Sequence, residues 1–164
     1  MEIRTPLSFT GSWLEAHELS KAEVEPVFIP IKPFADDRGW SLMNLLAGAM
    51  TDQGQINFSV QYPGAVKAWH RHDRQSDFWV CLTGHLKVGL HRESDGVTWL
   101  QILGEKHPGV LFIPPPLWHG ATVVGPTSAG LLYYVTAMFN PEQPDEHRMP
   151  WDAVEGFPWG IRNQ

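Results

Sequence analysis

Short runs of strand-forming residues, separated by turns, recur along most of the chain and constrain what it can fold into. Clusters of turn-forming residues separate many of these runs, for example at 62–64, 94–96 and 107–109. Only two weak helix-like stretches interrupt the pattern, near Trp13–Ala22 and Met43–Met50. Strands at this spacing predict an all-β sandwich or barrel. The predicted strands are Val24–Ile31, Gly39–Leu46, Gln55–Gln61, Ala65–His72, Phe78–Leu82, Leu86–His91, Thr98–Leu103, Val110–Ile113, Thr122–Val124 and Gly130–Met138.

The length of the chain, 164 residues, is sufficient for one domain with its own hydrophobic core. We therefore predict a single domain over residues 1–164. Within it, an N-terminal arm at 1–23 precedes a barrel core at about 24–140, and a C-terminal extension follows at 141–164.

Composition and charge exclude several classes of protein. The net charge is −6, and no long basic run occurs, so a nucleic-acid partner is not expected. The N-terminus lacks the basic and apolar regions of a signal peptide, and no apolar run approaches the ~20 residues of a membrane span, so we expect a cytoplasmic protein without a membrane partner. The single cysteine, Cys81, lies in an apolar run and is predicted to be a core residue.

The residues with the clearest chemical meaning lie in the segment Gly64–Gly84. His70 and His72 are one residue apart, so on a strand they project from the same face. A carboxylate follows at Asp77, and a third imidazole stands downstream at His119. Such a set is typical of a catalytic divalent-metal site with open coordination positions. Nitrogen and oxygen ligands suit zinc, iron, nickel or manganese, and the spacing does not choose among them.

The same segment resembles the first signature of the cupin family, in which Gly, His-x-His, an acidic residue and a second Gly follow at set spacings. Every spacing fits, with Asp77 in place of the usual Glu. The segment Pro114–His119 resembles the second signature less closely, since Pro116 replaces a Gly. This resemblance implies a double-stranded β-helix, the cupin or jelly-roll barrel, with short flanking helices.

Within the cupins, the chain is similar to the dTDP-4-dehydrorhamnose 3,5-epimerase family from about Phe34 to Pro141. The resemblance implies an enzyme that epimerises a keto-sugar, carried on a nucleotide, by moving protons next to the carbonyl group. It implies a homodimer as well, and no organic cofactor is expected. The matching stretches are Phe34–Gly39, Gln55–His70, Ile113–Gly120 and Leu132–Thr136.

The resemblance also implies a role for individual residues. His70 would be the general base that removes the proton next to the ketone, and Tyr133 would return a proton from the opposite face. His119 would polarise the keto oxygen or line the sugar. The sugar nucleotide would be held by Arg38, Gln55, Asn57 and Lys67.

The chain departs from this family at positions that bear on the mechanism. Asp77 stands where the family usually has Lys, and Lys67 stands where it has Arg. The Asp of the family's His–Asp dyad comes from a segment beyond the last residue of this sequence. Together, His72 and Asp77 make this part of the site favour a cation, where the Lys of the family favours an anion. His70 is therefore either a free base or a metal ligand.

Two further classes of function remain open on the same residues. One is a metal-dependent cupin enzyme of another kind, such as a dioxygenase, a decarboxylase or an isomerase of small molecules. The other is a cupin that binds a sugar without turning it over.

Overall fold

The computed structural model describes residues 1–46 and 48–160 of the chain. In these residues it contains one α-helix, α1, at Trp13–Glu23, and fourteen strands. Strands β1 to β14 are, in chain order, Ile3–Arg4, Leu7–Ser8, Val27–Pro30, Phe34–Asp36, Gly39–Ser41, Gln55–Gln61, Val66–Arg71, Asp77–Thr83, His85–His91, Thr98–Gly104, Gly109–Ile113, Trp118–Val123, Ala129–Val135 and His147–Arg148.

Two six-stranded sheets form the body of the protein. The first sheet has the order β1-β10-β9-β12-β7-β14, and the second has the order β2-β3-β11-β8-β13-β6. From β6 to β13 the chain passes repeatedly from one sheet to the other, and the pairs in this part are antiparallel. This is the double-stranded β-helix, so the predicted fold class is confirmed. The short strands β4 and β5 form a separate hairpin.

The main core lies between the two sheets and follows the two-residue period of the strands. On β9, Leu86, Val88 and Leu90 all point into it. Trp79 and Cys81 enter the same core from β8 in the opposite sheet. Cys81 is only 2% exposed, which confirms its prediction as a core residue. Burial raises the pKa of its thiol to about 11, so the side chain stays protonated at neutral pH.

Helix α1 covers the outer face of the second sheet. Ser12 caps its first turn: the Ser12 hydroxyl accepts the Glu15 N–H at 3.2 Å, and the Glu15 carboxylate accepts the Ser12 N–H at 2.9 Å. The helix ends at Val24, which takes the left-handed conformation. The prediction at Trp13–Ala22 is therefore confirmed. In the described part of the chain, no helix has the length and hydropathy needed to cross a membrane.

The second predicted helix, Met43–Met50, is wrong. The described residues of this stretch form turns and irregular backbone, while Ala47 lies outside the described residues. Asn44 and Gly48 take positive φ angles of 56° and 80°, which an α-helix does not accommodate. The strand predicted at Gly39–Leu46 is also shorter than expected and ends at Ser41.

The C-terminal segment covers the outer face of the first sheet. The Trp69 ring, on β7, packs against Phe157 at 5.1 Å and Trp159 at 4.9 Å between ring centroids. Its indole N–H donates to the carbonyl of Trp151 at 3.1 Å. Nearby, the Lys87 ammonium donates to the carbonyl of Gly160 at 2.6 Å. Central strands such as β11 are thus buried on two faces, which explains their continuous apolar runs.

Replacing Trp69 by Ala should destabilise the protein by about 3–5 kcal/mol, because it empties a buried aromatic site under the C-terminal segment. Denaturant unfolding measures the change. Trp151→Ala is the matched control, since Trp151 is 55% exposed and its removal should cost less than about 0.5 kcal/mol. Equal losses in the two variants would show that the C-terminal segment does not stabilise the sheet through Trp69.

Candidate functional site

Four side chains with metal-binding atoms meet at one end of the barrel. His119 on β12 lies directly opposite His70 on the neighbouring strand β7, and their ring centroids are 4.1 Å apart. His72 follows the end of β7, and Asp77 begins β8 in the second sheet. One nitrogen or oxygen atom from each of the four lies within 4.8 Å of the others. We call this set the His–Asp cluster.

Hydrogen bonds on the far side of two imidazoles determine which nitrogen faces the cluster. Nδ1 of His119 donates to the carbonyl of Leu117 at 2.9 Å, because a carbonyl oxygen only accepts. Nδ1 of His72 likewise donates to the carbonyl of Asp145. In the neutral rings, Nε2 of each therefore carries a lone pair. These lone pairs face the Asp77 carboxylate at 3.6 Å from His119 and 3.9 Å from His72.

The Asp77 carboxylate is buried, with 4% of its side chain exposed. Burial alone would raise its pKa, but the hydrogen bond and positive charge of a protonated His119, the charge of a protonated His72 and a hydrogen bond from Gln75 outweigh this and lower it to about 2. Gln75 donates to one carboxylate oxygen at 2.7 Å, and the Trp79 indole donates to the other at 3.1 Å. Asp77 is therefore ionised and held in one orientation.

The chemistry of this donor set fits a divalent cation. Nε2 of His119 is buried and has no hydrogen-bond partner, and such an atom in a protein interior is costly. Its lone pair faces an ionised carboxylate, so a proton or a metal ion is needed between them. With metal–ligand bonds of about 2.1 Å, opposite ligands are about 4.2 Å apart. Ligand atoms within 4.8 Å of one another reach that geometry by small movements.

His70 and Tyr133 face the same cleft. Burial lowers the pKa of His70 well below its ordinary value, His119 lowers it further, and Asp77 opposes both. His70 is therefore neutral at pH 7 and has a lone pair available. For Tyr133, burial raises the pKa of the phenol, and the negative charges of Asp77 and Glu146 raise it further. Tyr133 is thus a protonated phenol that can donate a proton.

Most of the predicted substrate-binding residues line this cleft. It consists of two adjoining cavities that share the side chains of His70, Asp77, Tyr133 and Glu146. Lys67 lines one cavity, while Gln55 and Asn57 line the other.

Arg38 lies elsewhere. Its guanidinium is 85% exposed and pairs with Asp36 on the hairpin of β4 and β5. That hairpin pairs only with itself among the described strands, and Arg38 is not one of the described residues that line either cavity of the cleft.

The C-terminal segment contributes residues to the cleft that the sequence did not predict. Glu146, Arg148 and Met149 line its walls, and β14 adds a strand beside β7 with Arg148 opposite His70. The polar, Pro-containing stretch after Phe139 indicates only a surface connection. The alternation of Glu146 and Arg148 was the available signal, but two strand residues are too few to recognise.

Comparison with known protein families shows which family this chain belongs to. A family described as "Polysaccharide biosynthesis C-terminal domain" matches residues 34–147, well over half of the chain. The chain belongs to this family.

Two curated relatives of this polysaccharide biosynthesis domain are similar in sequence. The spore coat polysaccharide biosynthesis protein SpsL of Bacillus subtilis is 38% identical over 133 residues, which are 76% of this chain and 88% of the relative. The probable low-salt glycan biosynthesis epimerase Agl13 of Haloferax volcanii is 37% identical over 101 residues, which are 58% of this chain and 65% of the relative.

The fold is also similar to that of a solved sugar isomerase. The dTDP sugar isomerase of Desulfovibrio desulfuricans G20 is 26% identical, with a TM-score of 0.71 over 82% of this chain and 90% of that chain. The resemblance to the 3,5-epimerase family of cupins is therefore confirmed.

Proposed function

We propose that the protein is an epimerase of a keto-sugar carried on a nucleotide. The observation that carries the proposal is the placement of a neutral imidazole, His70, and a protonated phenol, Tyr133, on the wall of one cleft. The names of the similar proteins, an epimerase and a dTDP sugar isomerase, support the same chemistry.

Epimerisation needs one group that removes a proton next to a carbonyl and another that returns a proton to the other face. His70 takes the proton, because it is neutral and its nitrogen can accept. Tyr133 returns one, because its raised pKa keeps the phenol protonated. A hydrogen-bond donor or a cation at the carbonyl oxygen lowers the cost of the negative charge that forms there.

The cleft also carries groups suited to the rest of such a substrate. Lys67 and Arg148 supply positive charge on the wall of the first cavity, where a diphosphate can lie. Gln55 and Asn57 supply amides on the wall of the second cavity for sugar or base hydroxyl and carbonyl groups. Trp79 lies beside His70 and offers a flat apolar surface.

We further propose that the His–Asp cluster binds one divalent metal ion. The unpartnered Nε2 of His119 and the lone pair on His72, both facing an ionised Asp77, favour this. When bound, the metal would polarise the substrate carbonyl as a Lewis acid. If His70 is also a ligand, it is not free to take a proton; Tyr133 can still return one, and another group would then have to remove the first.

A homodimer completes the proposal. Strand β6 forms one edge of the second sheet, and its outward side chains Ile56, Phe58 and Val60 are 51%, 58% and 47% exposed. An exposed apolar edge strand favours association with another chain. We propose that Arg38, which does not line the cleft of its own chain, lines the cleft of a partner in this dimer.

The first prediction concerns proton transfer. In D₂O, the wild type should incorporate deuterium next to the ketone of a dTDP-4-keto-6-deoxy sugar, as followed by mass spectrometry. His70→Asn should slow incorporation about 10²–10⁴-fold, because the base is lost. Tyr133→Phe should keep exchange but lose inversion, since His70 returns the proton to the same face.

Tyr134→Phe is the matched control for Tyr133. The Tyr134 hydroxyl lies in another core cluster and accepts the N–H of Thr51, so both exchange and inversion should persist. An absence of exchange in the wild type with any keto-sugar nucleotide would exclude the epimerase.

The second prediction concerns the metal. Chelator-stripped protein titrated with Zn²⁺ in competition with a chromophoric chelator should bind one ion per chain. His119→Ala should weaken binding more than about 100-fold, because it removes a ligand. His107→Ala should bind as the wild type does, since His107 lies outside the cluster and stacks on Phe28. Equal affinities for the two variants would place the metal elsewhere.

The third prediction concerns the dimer. Light scattering should give twice the chain mass of 18.5 kDa for the wild type. Phe58→Glu should give the single-chain mass, because a charge on the outer face of β6 opposes burial. Leu14→Glu, at a position 59% exposed on α1, should leave the dimer intact. A dimer that survives Phe58→Glu would not use this edge.

A further inference from the structure

Asp145 makes an unusual set of contacts with the loop that joins β7 to β8. Its carboxylate accepts three consecutive backbone N–H groups, from Asp73 at 3.0 Å, Arg74 at 3.1 Å and Gln75 at 3.1 Å. Hydrogen bonds to an ionised carboxylate are stronger than those between neutral groups. The loop lies about seventy residues before Asp145 in the chain, so the contact is a tertiary tether.

The first consequence of this tether reaches His72. The backbone carbonyl of Asp145 accepts the Nδ1–H of His72. The carboxylate and the carbonyl belong to the same residue, and the loop bound by the carboxylate begins immediately after His72. The carboxylate therefore holds the carbonyl in place beside His72. The tether thereby fixes the His72 tautomer and directs Nε2 towards Asp77.

The second consequence reaches Asp77. The N–H of Gln75 donates to the Asp145 carboxylate, while the side-chain amide of Gln75 donates to Asp77 at 2.7 Å. Asp145 therefore orients one residue of the His–Asp cluster through its carbonyl and a second through Gln75. Its side chain is only 16% exposed, so water competes little for these bonds.

We infer that Asp145 is a positioning residue that orients His72 and Asp77 for a cation held by the His–Asp cluster. The inference deepens the proposed metal site and rests on it for its effect on affinity. The orientation of His72 does not depend on a metal. The two parts can therefore be tested separately.

The first experiment uses metal-free protein labelled with ¹⁵N. In the wild type, NMR should show His72 as the Nδ1–H tautomer, with that proton slow to exchange with water. Asp145→Asn places an amide N–H₂ where a carboxylate oxygen accepted, so the tether weakens. In this variant His72 should become a mixture of tautomers with fast exchange. An unchanged His72 signal in the folded variant would overturn the inference.

Asp95→Asn is the matched control. Asp95 is another carboxylate that closes a loop, accepting from Arg92 at 2.8 Å and from the N–H of Val97 at 3.2 Å, and it lies outside the cluster. It should lower stability without changing the His72 tautomer. A change of tautomer in this variant as well would mean that any loosened loop has the same effect.

The second experiment measures Zn²⁺ affinity by chelator competition. Asp145→Asn should weaken binding about 10–100-fold, as is usual when a group that orients a metal ligand is removed, while Asp95→Asn should not. Wild-type affinity in folded Asp145→Asn would overturn the effect on the metal. If the wild type itself binds no Zn²⁺, the metal proposal fails, and the tautomer measurement alone decides the role of Asp145.

A second variant covers the case in which Asp145→Asn does not fold. Gln75→Met keeps the backbone N–H that contacts Asp145 and removes the amide that contacts Asp77. It should weaken Zn²⁺ binding about 10-fold and leave the His72 tautomer unchanged. Unchanged affinity in Gln75→Met would show that the route through Gln75 does not operate.

Discussion

The site depends on one interaction, the burial of the ionised Asp77 carboxylate among three imidazoles. A buried charge is stable only when it is paired and hydrogen-bonded. Asp77 is hydrogen-bonded by Gln75 and Trp79, and a proton or the proposed cation between it and the facing nitrogens of His72 and His119 completes the pairing. These partners come from both sheets, so the arrangement exists only when the barrel is closed.

The segments that pack on the outer faces of the two sheets support this arrangement. Helix α1 shields the outer face of the second sheet, and the C-terminal segment shields the first. The C-terminal segment has a second role, because Glu146 and Arg148 line the cleft and Asp145 grips the loop before Asp77. Stability of the fold and geometry of the site thus share the same stretch of chain.

The proposed metal binding and the proposed proton transfer both require the lone pair of His70. Burial keeps His70 neutral, and a neutral imidazole is equally suited to bind a metal ion or to accept a proton. Tyr133 is not a member of the His–Asp cluster, and its protonated phenol can return a proton to the substrate whichever role His70 takes. Asp77, in place of the Lys usual at this position in the 3,5-epimerase family, is the change that favours a cation in the proposed metal site.

The sequence by itself determined most strands of the barrel core and the residues of the His–Asp cluster. The two-residue period of Gln55–Gln61 predicted β6 with its observed bounds, and the spacing of His70 and His72 placed them together on one strand and its end. Local periodicity encodes such features, since a strand's pattern of burial repeats every two residues. The helix predicted at Met43–Met50 was wrong, because a helix-favouring composition without capping residues is not sufficient to form a helix.

Only the tertiary structure decided the rest of the site. Asp145 contacts residues 73–75, and Glu146 and Arg148 line the cleft, so these contacts join segments far apart in the chain. Arg38, in contrast, lies on a separate hairpin. No local pattern records such pairings, because they arise only when the two sheets close and the C-terminal segment folds back over the first. The candidate catalytic and metal-binding residues could therefore be predicted from the sequence, while the residues that orient them could not.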